Sequence, residues 1–449
     1  MNGKTKDLTE GSIGKLILLF ALPLLGSSLI QQMYSTVDLI FVGRCIGKEA
    51  SAAVGSSDLL VTCIVGLFTG ISVGSGVVAA QAFGQKNNKT LHKVIQTAFF
   101  FGLIGALVLM IGGIILAPTF LHWLDTPAEV FDMAVLYLRI YFAGIFGIVE
   151  YNLCSGIVRS LGDARSALKF QIFGGVANIV CDYLFIVVFH MGIAGAALAM
   201  IGAQIVSALL TIRYLCKLHP EIALKVTCPM LDGQVLKKLL LVGIPSGIQS
   251  MVVSFSNLFI QSIINSFSVD AMAAFAAYFK IEMFLYYPSL SYGQALVTYT
   301  AQNYGAGKVD RVRKGTWITQ LMSICTVAIL SFVMILFIRP IFGLFNSDPG
   351  VLADGVRVAM ITFPIYFLCT IQECMSAVSK GVGKAIAPMV IILTCMCFFR
   401  IVILRILVGI KHEIEMVAIV YPITWVLAGI AMTVNCLIIL KKLKNNQLS

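Results

Sequence analysis

Twelve long apolar runs follow one another along the chain, and about 20 such residues are enough for a helix to cross the hydrocarbon core of a bilayer. The runs lie at approximately residues 13–41, 53–82, 94–118, 129–157, 167–189, 192–215, 238–264, 271–300, 316–339, 355–378, 387–410 and 416–440. Charged residues make up only 12% of the 449 residues, about half of their share in soluble proteins. Because no water-soluble fold can bury this much apolar surface, we predict an all-α membrane protein with twelve transmembrane helices.

The lysines and arginines predict the orientation of the chain, since cytoplasmic loops carry an excess of these residues. If both termini are cytoplasmic, the inner segments contain 23 of them, beginning with Lys4 and Lys6. The outer loops then contain only Arg44, Lys48, Arg339 and Lys411. This bias predicts that both termini are cytoplasmic. It also accounts for the net charge of +11 without a nucleic-acid partner.

The two halves of the chain resemble each other at an almost constant offset. Pro23 in the first run corresponds to Pro245 in the seventh. At nearly the same separation, the sequence Ala-Gln-Ala-Phe-Gly that ends at Gly84 corresponds to Ala-Gln-Asn-Tyr-Gly that ends at Gly305. Because each half has an even number of runs, both halves insert in the same direction, and two parallel six-helix repeats around a central cavity are typical of transporters. We predict an N-terminal lobe at 1–215, a cytoplasmic linker at 216–237 and a C-terminal lobe at 238–449.

Acidic residues within the apolar runs indicate where the chemistry lies, because one Asp at the centre of a membrane helix costs about 2.5–3.5 kcal/mol. Asp182 follows Asn178 by four residues, so both side chains lie on one helix face. With Asp38, their oxygens could bind a proton or a small hard cation; alternatively, Asp182 pairs with a base or a backbone amide. At the repeat offset, Asp38 corresponds to Ile260 and Asp182 to Leu404. A cation site is therefore predicted in the N-terminal lobe.

Several segments together resemble the multidrug and toxic compound extrusion (MATE) transporters. They are Pro23 and the segment from Tyr34 to Gly43, Gln81-Ala-Phe-Gly84, Arg159-Ser-Leu-Gly-Asp163, Asn178-x-x-x-Asp182 and Gly192-Ile-Ala-Gly-Ala-Ala. The resemblance covers essentially the whole chain, including the repeat and the linker. It implies an antiporter that works by alternating access, in the branch whose cation site lies in the N-terminal lobe.

The resemblance also implies roles for individual residues. Asp38 and Asp182 become the coupling acids, Asn178 an oxygen ligand, Tyr137 a hydrogen-bonding neighbour, and Pro23 the place where the first helix bends. A proline inside a helix removes one backbone hydrogen bond, which makes a bend there physically reasonable.

One position departs from the family pattern, and it bears on the coupling ion. The pattern has Thr eighteen residues after the second aspartate, where this chain has Met200. A thioether is a poor ligand for Na⁺. Coupling to H⁺ is therefore favoured, and Na⁺ bound by Asp38, Asn178 and Asp182 is the second possibility.

Other acidic and aromatic residues in the runs are candidates for a substrate cavity. The acids, which would attract a cation, are Glu150, Glu282 and Glu373. The aromatic residues, which could stack on a planar cation, are Tyr141, Phe146, Tyr151, Tyr278, Tyr286 and Tyr287. Membrane helices also need such aromatic residues simply to pack. The sequence assigns no role to Arg400 and Arg405.

Motifs of other function classes are missing from the sequence. It contains no Walker-type phosphate loop, no H-E-x-x-H and no G-x-S-x-G. We therefore predict a transporter rather than an enzyme, with no cofactor and no bound metal except the coupling ion. It would be a monomer in the bacterial cytoplasmic membrane that exports cationic amphipathic drugs or toxic organic compounds in exchange for H⁺ or Na⁺. The alternative is a flippase for a lipid-linked cell-envelope precursor, which would need a cavity rich in Arg and Lys.

Overall fold

A computed structural model describes residues 7–124, 126–345 and 348–448, with the backbone alone described at 58–59 and 446–448. Within these ranges every regular element is helical and there is no strand. Lys4 and Lys6, which contribute to the predicted charge bias, lie outside the described residues. The same is true of the side chain of Asp58, a further acidic residue of the second apolar run.

The helices of the first half are joined by short connections. They are α1 Ile13–Phe41, α2 Lys48–Gly84, α3 Asn88–Trp123, α4 Ala128–Ala143, α5 Ile145–Ser160, α6 Ala164–Asp182 and α7 Gly192–Cys216. A π-helical turn extends α1 over Val42–Ile46, and another extends α6 over Tyr183–Val188.

The second half follows the same plan. Its helices are α8 Gly233–Ile264, α9 Val269–Gly305, α10 Val309–Leu336, α11 Ile338–Gly343, α12 Pro349–Thr362, α13 Phe367–Gly381, α14 Ile386–Ile392, α15 Arg400–Ile410 and α16 Ile414–Leu448. A 3₁₀ turn at Phe363–Ile365 precedes α13, and a π-helical turn at Leu393–Phe399 joins α14 to α15.

Eleven of the twelve predicted spans agree with helices that are long and apolar enough to cross a membrane. Nine such helices lie in the described part of the chain, and two further spans are bent pairs. The pair α4 and α5 is bent by 48° at Gly144, and the pair α12 and α13 is bent by 49° near Pro364. Glycine and proline both weaken a helix at such a point.

The twelfth predicted span corresponds to α9, which has the length but is less apolar than the others. It contains Lys280 and Glu282 together with several tyrosines and serines. Tyr278, Leu285 and Tyr299 of α9 are fully buried, and the helix packs against α10, α12 and α13. A helix that is largely surrounded by protein does not need side chains suited to lipid, which explains its lower apolarity.

The positions of the helices agree with the internal repeat. Helices α5, α6 and α7 begin at residues 145, 164 and 192, and α13, α14 and α16 begin at residues 367, 386 and 414. Each start in the second half is displaced from its counterpart by the interval that separates Pro23 from Pro245. The repeat therefore extends to the helix boundaries and the bends.

Two compact units form, and their boundaries differ from the predicted lobes. The N-terminal unit is built from Gly26–Gly247, and the C-terminal unit from Leu8–Leu25 and the chain from Ile248 onward. The predicted linker is not independent, because Leu224 is buried in the apolar core of the N-terminal unit. The first part of α8 belongs to the same unit, and Leu239 is buried there too.

Within the N-terminal unit, α2 crosses the first part of α8 at unusually close range. A Cβ added at Gly70 would lie 2.0 Å from the backbone nitrogen of Gly247, and one added at Gly74 would lie 2.3 Å from the carbonyl oxygen of Leu239. A Cβ added at Gly243 would lie 2.8 Å from the Cα of Ile71. Small residues at four-residue spacing allow membrane helices to approach backbone to backbone.

Asp232 directly precedes α8 and holds the start of this helix against α3. Its Oδ1 accepts hydrogen bonds from the amides of Gln234 at 3.0 Å and Val235 at 3.1 Å, which is an N-cap arrangement. Lys93 donates to its Oδ2 at 2.9 Å, and this interaction, with the help of the Val235 amide, lowers the pKa of Asp232. The Asp232 amide donates to Thr97 Oγ1 at 3.1 Å.

This lowered pKa predicts a pH-dependent stability difference between the wild type and Asp232→Asn. A carboxyl group whose pKa is lower in the folded state stabilises the fold above its unfolded-state pKa of about 3.9 and ceases to do so as pH falls through the folded-state value. We expect the wild type to unfold at a higher temperature at pH 7 and the difference to disappear on acidification. Thermal unfolding in detergent measures this difference in unfolding temperature between the wild type and the variant. Asp310→Asn, at an exposed site on α10, should show no such difference, and a difference independent of pH would contradict the prediction.

Candidate functional site

Two aspartates from different helices come together in the N-terminal unit. The carboxyl groups of Asp38, on α1, and Asp182, at the end of α6, lie next to each other and interact electrostatically. Asp182 is fully buried, and apart from the carboxyl group of Asp38 its oxygens have no hydrogen-bond partner among the described residues. Oδ1 of Asp38 is also buried without a partner. Ionised carboxylates are acceptors only, so this arrangement suits a bound proton or cation that the two groups share.

Irregular helix geometry places the pair. Each aspartate is followed within a few residues by a π-helical turn, Val42–Ile46 after Asp38 and Tyr183–Val188 directly after Asp182. The two turns contact each other, and both contact α7. Such turns interrupt the regular hydrogen-bonding pattern of a helix and are often found at functional sites.

Asn178 lies one turn before Asp182, as its spacing predicts. Its side chain is buried, and its Oδ1 has no hydrogen-bond partner. The region around the two aspartates therefore contains several unpaired buried oxygens from carboxylate and amide groups. Oxygen donors of this kind suit a hard cation such as Na⁺ as well as a proton.

Tyr137 and Met200 are in direct contact. The buried Tyr137, on α4, donates a hydrogen bond from its hydroxyl group to Met200 Sδ, on α7, at 3.5 Å. Tyr137 is thus a hydrogen-bonding residue of the N-terminal unit, and its partner there is the thioether sulfur of Met200.

Pro23 lies inside α1, which continues as one helix from Ile13 to Phe41. The boundary between the two compact units falls at Leu25 and Gly26, two residues after this proline. The bend at Pro23 stays a prediction.

A polar cluster joins four helices of the N-terminal unit, and the sequence reasoning identified only one of its members. Tyr34 of α1 accepts hydrogen bonds from Gln171 of α6 at 3.0 Å and from Gln204 of α7 at 3.4 Å. Tyr151 of α5, predicted to line a substrate cavity, donates to Gln171 Oε1. Tyr34 is one helical turn before Asp38, so the cluster lies on the same face of α1. Glutamines within apolar runs were the available signal.

The other predicted cavity residues of the N-terminal unit are packed between helices. Glu150 is fully buried, accepts a hydrogen bond from Cys154 Sγ at 3.5 Å and lies against Gly102 of α3. Tyr141 is also fully buried, and Phe146 is partly buried against the apolar core. Glu150 and Tyr141 therefore line no accessible surface in this structure, in contrast to the prediction, because neighbouring helices cover them completely.

Two of the predicted acids lie in the C-terminal unit and are partly accessible. Glu282 accepts a hydrogen bond from the hydroxyl of Tyr366 at 2.9 Å. Glu373 interacts electrostatically with Lys380, two helical turns further along α13. Tyr278, also predicted to line a cavity, is fully buried and, like Glu150 and Tyr141, lines no accessible surface in this structure. Tyr286 and Tyr287 are, like Glu282 and Glu373, partly exposed.

The structure shows what surrounds the two arginines that the sequence left without a role. Arg400 is buried, donates to Thr424 Oγ1 at 3.1 and 3.3 Å, and lies 5.0 Å from the ring centroid of Tyr421. Arg405 is exposed and lies over the ring of Phe259. Cation–π contacts of this kind stabilise a guanidinium group that has lost water.

The family comparison explains both the fold and the repeat. The MatE family model matches the chain twice, at residues 23–184 and at 245–406. The chain belongs to the MatE family. The two matches are equally long and begin at Pro23 and Pro245, which confirms the internal repeat.

Curated bacterial relatives resemble this MatE protein over most of its length. The probable multidrug resistance protein YpnP of Bacillus subtilis (strain 168) is 27% identical over 391 residues, which are 86% of this chain and 87% of YpnP. The probable multidrug resistance protein YoeA of the same organism is 28% identical over 398 residues, 86% of this chain and 85% of YoeA. Superposed on a crystal structure of MATE in the straight conformation, the chain gives a TM-score of 0.91 at 24% identity, and the alignment covers 99% of each chain.

These matches confirm several predictions. MatE proteins are membrane transporters and not enzymes, and the twelve-helix all-α fold agrees with the solved structures. With its bacterial relatives and many apolar helices, the protein is a multi-pass protein of a bacterial membrane. The first family match includes Asp38, Tyr137, Asn178 and Asp182 and ends at residue 184, before Met200.

Proposed function

We propose that this MatE protein exports cationic organic compounds, including amphipathic drugs, in exchange for protons. The observation that carries the proposal is the pair of Asp38 and Asp182, whose adjacent carboxyl groups have unpaired buried oxygens. Two carboxylates at one site repel each other, so binding of a proton is favoured. The drug part of the proposal is supported by the names of the relatives, which are called multidrug resistance proteins.

The proposed mechanism is alternating access. Protons arriving from outside bind at Asp38 and Asp182, and α1 rearranges near Pro23, which weakens the binding of the substrate. After the protein opens inward, loss of the protons restores substrate affinity. Such coupling requires that each ligand weakens the binding of the other or competes for the same state.

The cationic group of the substrate would be attracted by acids of the C-terminal unit. Glu282 and Glu373 are partly accessible, and Tyr286 and Tyr287, which follow Glu282 closely in the sequence, are partly accessible too. Aromatic faces and carboxylates together favour an organic cation. We further propose that the protein acts as a monomer, that both termini are cytoplasmic, and that it uses no cofactor apart from the coupling ion.

Uptake of a fluorescent organic cation into proteoliposomes tests the proposal. The purified protein is reconstituted without ATP, and a pH gradient and a Na⁺ gradient are imposed in separate experiments. We expect uptake driven by the pH gradient. Uptake driven only by the Na⁺ gradient would identify Na⁺, and not H⁺, as the coupling ion. The absence of uptake under both gradients would contradict the antiporter and favour transport of a lipid-linked anionic precursor.

Met200→Thr should change the response to Na⁺. The substitution replaces the sulfur that accepts the hydrogen bond of Tyr137 by a hydroxyl oxygen, which is a better ligand for Na⁺. We expect Na⁺-driven uptake to appear or increase in this variant. Met200→Leu, which supplies no oxygen, is the control. Equal Na⁺ responses of the two variants would contradict a role of this position in choosing the coupling ion.

A further inference from the structure

The chain before α1 is buried against the junction of α9 and α10. Leu8 is 1% exposed and Thr9 is 4% exposed, although both precede the first regular helix. The amide of Leu8 donates to Gln302 Oε1 at 2.9 Å. Its carbonyl oxygen accepts from Asn303 Nδ2 at 3.2 Å and from Arg311 Nη2 at 3.4 Å. Both backbone groups of Leu8 are thus bound by side chains distant in sequence.

Two cationic side chains complete this contact. Lys308 donates from Nζ to the carbonyl oxygen of Thr9 at 3.0 Å and to its Oγ1 at 3.2 Å. Arg311 donates from Nη1 to the carbonyl oxygen of Gly11 at 3.1 Å. Hydrogen bonds that involve a charged donor are stronger than neutral ones. We call Leu8–Gly11 with its binding residues the N-terminal anchor.

The residues of the anchor are themselves held in place. Arg311 donates from Nε to Asn303 Oδ1 at 3.1 Å, and its carbonyl oxygen accepts from the hydroxyl of Tyr299 at 3.0 Å. Asn303 also donates from Nδ2 to the carbonyl oxygen of Tyr299 at 2.8 Å. This network fixes the guanidinium and the amide before they bind Leu8, so the anchor is preorganised.

A similar contact occurs before α8 in the N-terminal unit. There the chain between α7 and α8 is held at the beginning of α3, through Lys93 and Asp232 at 2.9 Å and through Asn88 and Glu221 at 2.6 Å. The segment that precedes α1 is therefore bound to α9 and α10 of the second half. The segment that precedes α8 is bound to α3 of the first half.

The boundaries of the compact units also recur at the repeat offset. In α1 the boundary falls between Leu25 and Gly26, and in α8 between Gly247 and Ile248, two residues after the proline in each case. The part of α1 before the boundary lies in the same unit as the anchor. The part after it contains Asp38.

We propose that the N-terminal anchor holds the first part of α1 to the C-terminal unit, so that the movement of alternating access is taken up just after Pro23 and repositions the part that carries Asp38. Gln302, Asn303, Lys308 and Arg311 are positioning residues for this movement. They belong to the C-terminal unit, whereas Asp38 belongs to the N-terminal unit. The inference rests on the proposed antiport for its effect on transport, whereas the anchor itself can be tested without transport.

The test compares two double variants of equal charge. Lys308→Ala with Arg311→Ala removes both cationic contacts of the anchor. Arg313→Ala with Lys314→Ala removes one arginine and one lysine from exposed positions of the same helix. Hydrogen–deuterium exchange of the full-length protein, followed by mass spectrometry, measures how often the backbone near Leu8 opens.

We expect exchange in the segment 8–12 to become faster by about tenfold or more in the anchor variant, because several hydrogen bonds to charged groups are lost. Faster exchange should extend no further than Leu25. In proteoliposomes the maximal rate of gradient-driven uptake should fall by a similar factor with an unchanged KM, since the substrate-binding residues are intact. The control variant should match the wild type in both measurements.

Three results would overturn the proposal. They are unchanged exchange in the anchor variant, faster exchange with wild-type transport, and equal effects of both double variants. A wild type that transports nothing under either gradient would contradict the proposed function instead. In that case hydrogen–deuterium exchange alone tests the anchor. Faster exchange in the anchor variant that extends beyond Gly26 toward Asp38 would contradict it.

Discussion

Asp38→Asn is expected to reduce ion-driven uptake to the level of protein-free liposomes while the protein folds normally and still binds its substrate. Asn has nearly the same shape as Asp but cannot gain or lose a proton at neutral pH. The change leaves Asp182 without the partner carboxyl group that lies next to it in the structure. Since the proposed coupling needs a group that is charged in one state and neutral in the other, the exchange should stop.

Uptake under a pH gradient and substrate binding in detergent should be measured on the same preparation. Asp132→Asn is the matched control, because it makes the same substitution at an exposed position of α4 in the N-terminal unit. The control should transport like the wild type. Full transport by Asp38→Asn would exclude Asp38 as the coupling acid, and loss of substrate binding would show that the residue belongs to the substrate site.

Gly70→Ala is expected to destabilise the protein strongly, by about 3 kcal/mol or more, the upper range for overpacking. The new Cβ would lie 2.0 Å from the nitrogen and 2.2 Å from the Cα of Gly247. Both atoms belong to the backbone, which cannot move aside as a flexible side chain can. Helices α2 and α8 would have to separate along the crossing that Gly74 and Gly243 share.

Gly55→Ala provides the control in the same helix, because an added Cβ there meets nothing within 4 Å. Its stability should be unchanged or slightly higher, since Ala is the better helix former by about 1 kcal/mol. Samples heated in detergent and analysed by size-exclusion chromatography give the midpoint of unfolding. Equal midpoints for the two variants would show that the close crossing of α2 and α8 does not exist in the folded protein.

The polar residues within the apolar runs illustrate what sequence reasoning could identify and what it could not. Asp38, Asn178 and Asp182 were recognisable because each is a polar residue within an apolar run, where such residues are expensive. Glu150 has the same signal, yet the structure buries it completely between α3 and α5. The free-energy cost of a polar side chain in a membrane indicates that the side chain must be paired, hydrated or functional. It does not distinguish a residue that lines a cavity from one packed in the interior of a helix bundle.

Other features depend on which faces of the helices meet. Tyr34, Gln171 and Gln204 are far apart in sequence and are joined only because α1, α6 and α7 pack together. The anchor at Leu8 likewise joins residues from opposite halves of the chain. No local pattern specifies the rotation of one helix against another, so these contacts were not predictable.

The sequence by itself determined the membrane class, the number of helices, the internal repeat and the acids within the apolar runs. These properties follow from the hydropathy and the spacing of residues, which depend only on the sequence and not on which helices pack together. The tertiary structure alone decided the course of α1 through two compact units, the glycine crossing of α2 with α8 and the burial of Glu150. The reason is physical: lipid selects apolar helices without regard to their partners, whereas the choice of partners depends on the shapes and polar atoms of surfaces that meet only in the folded chain.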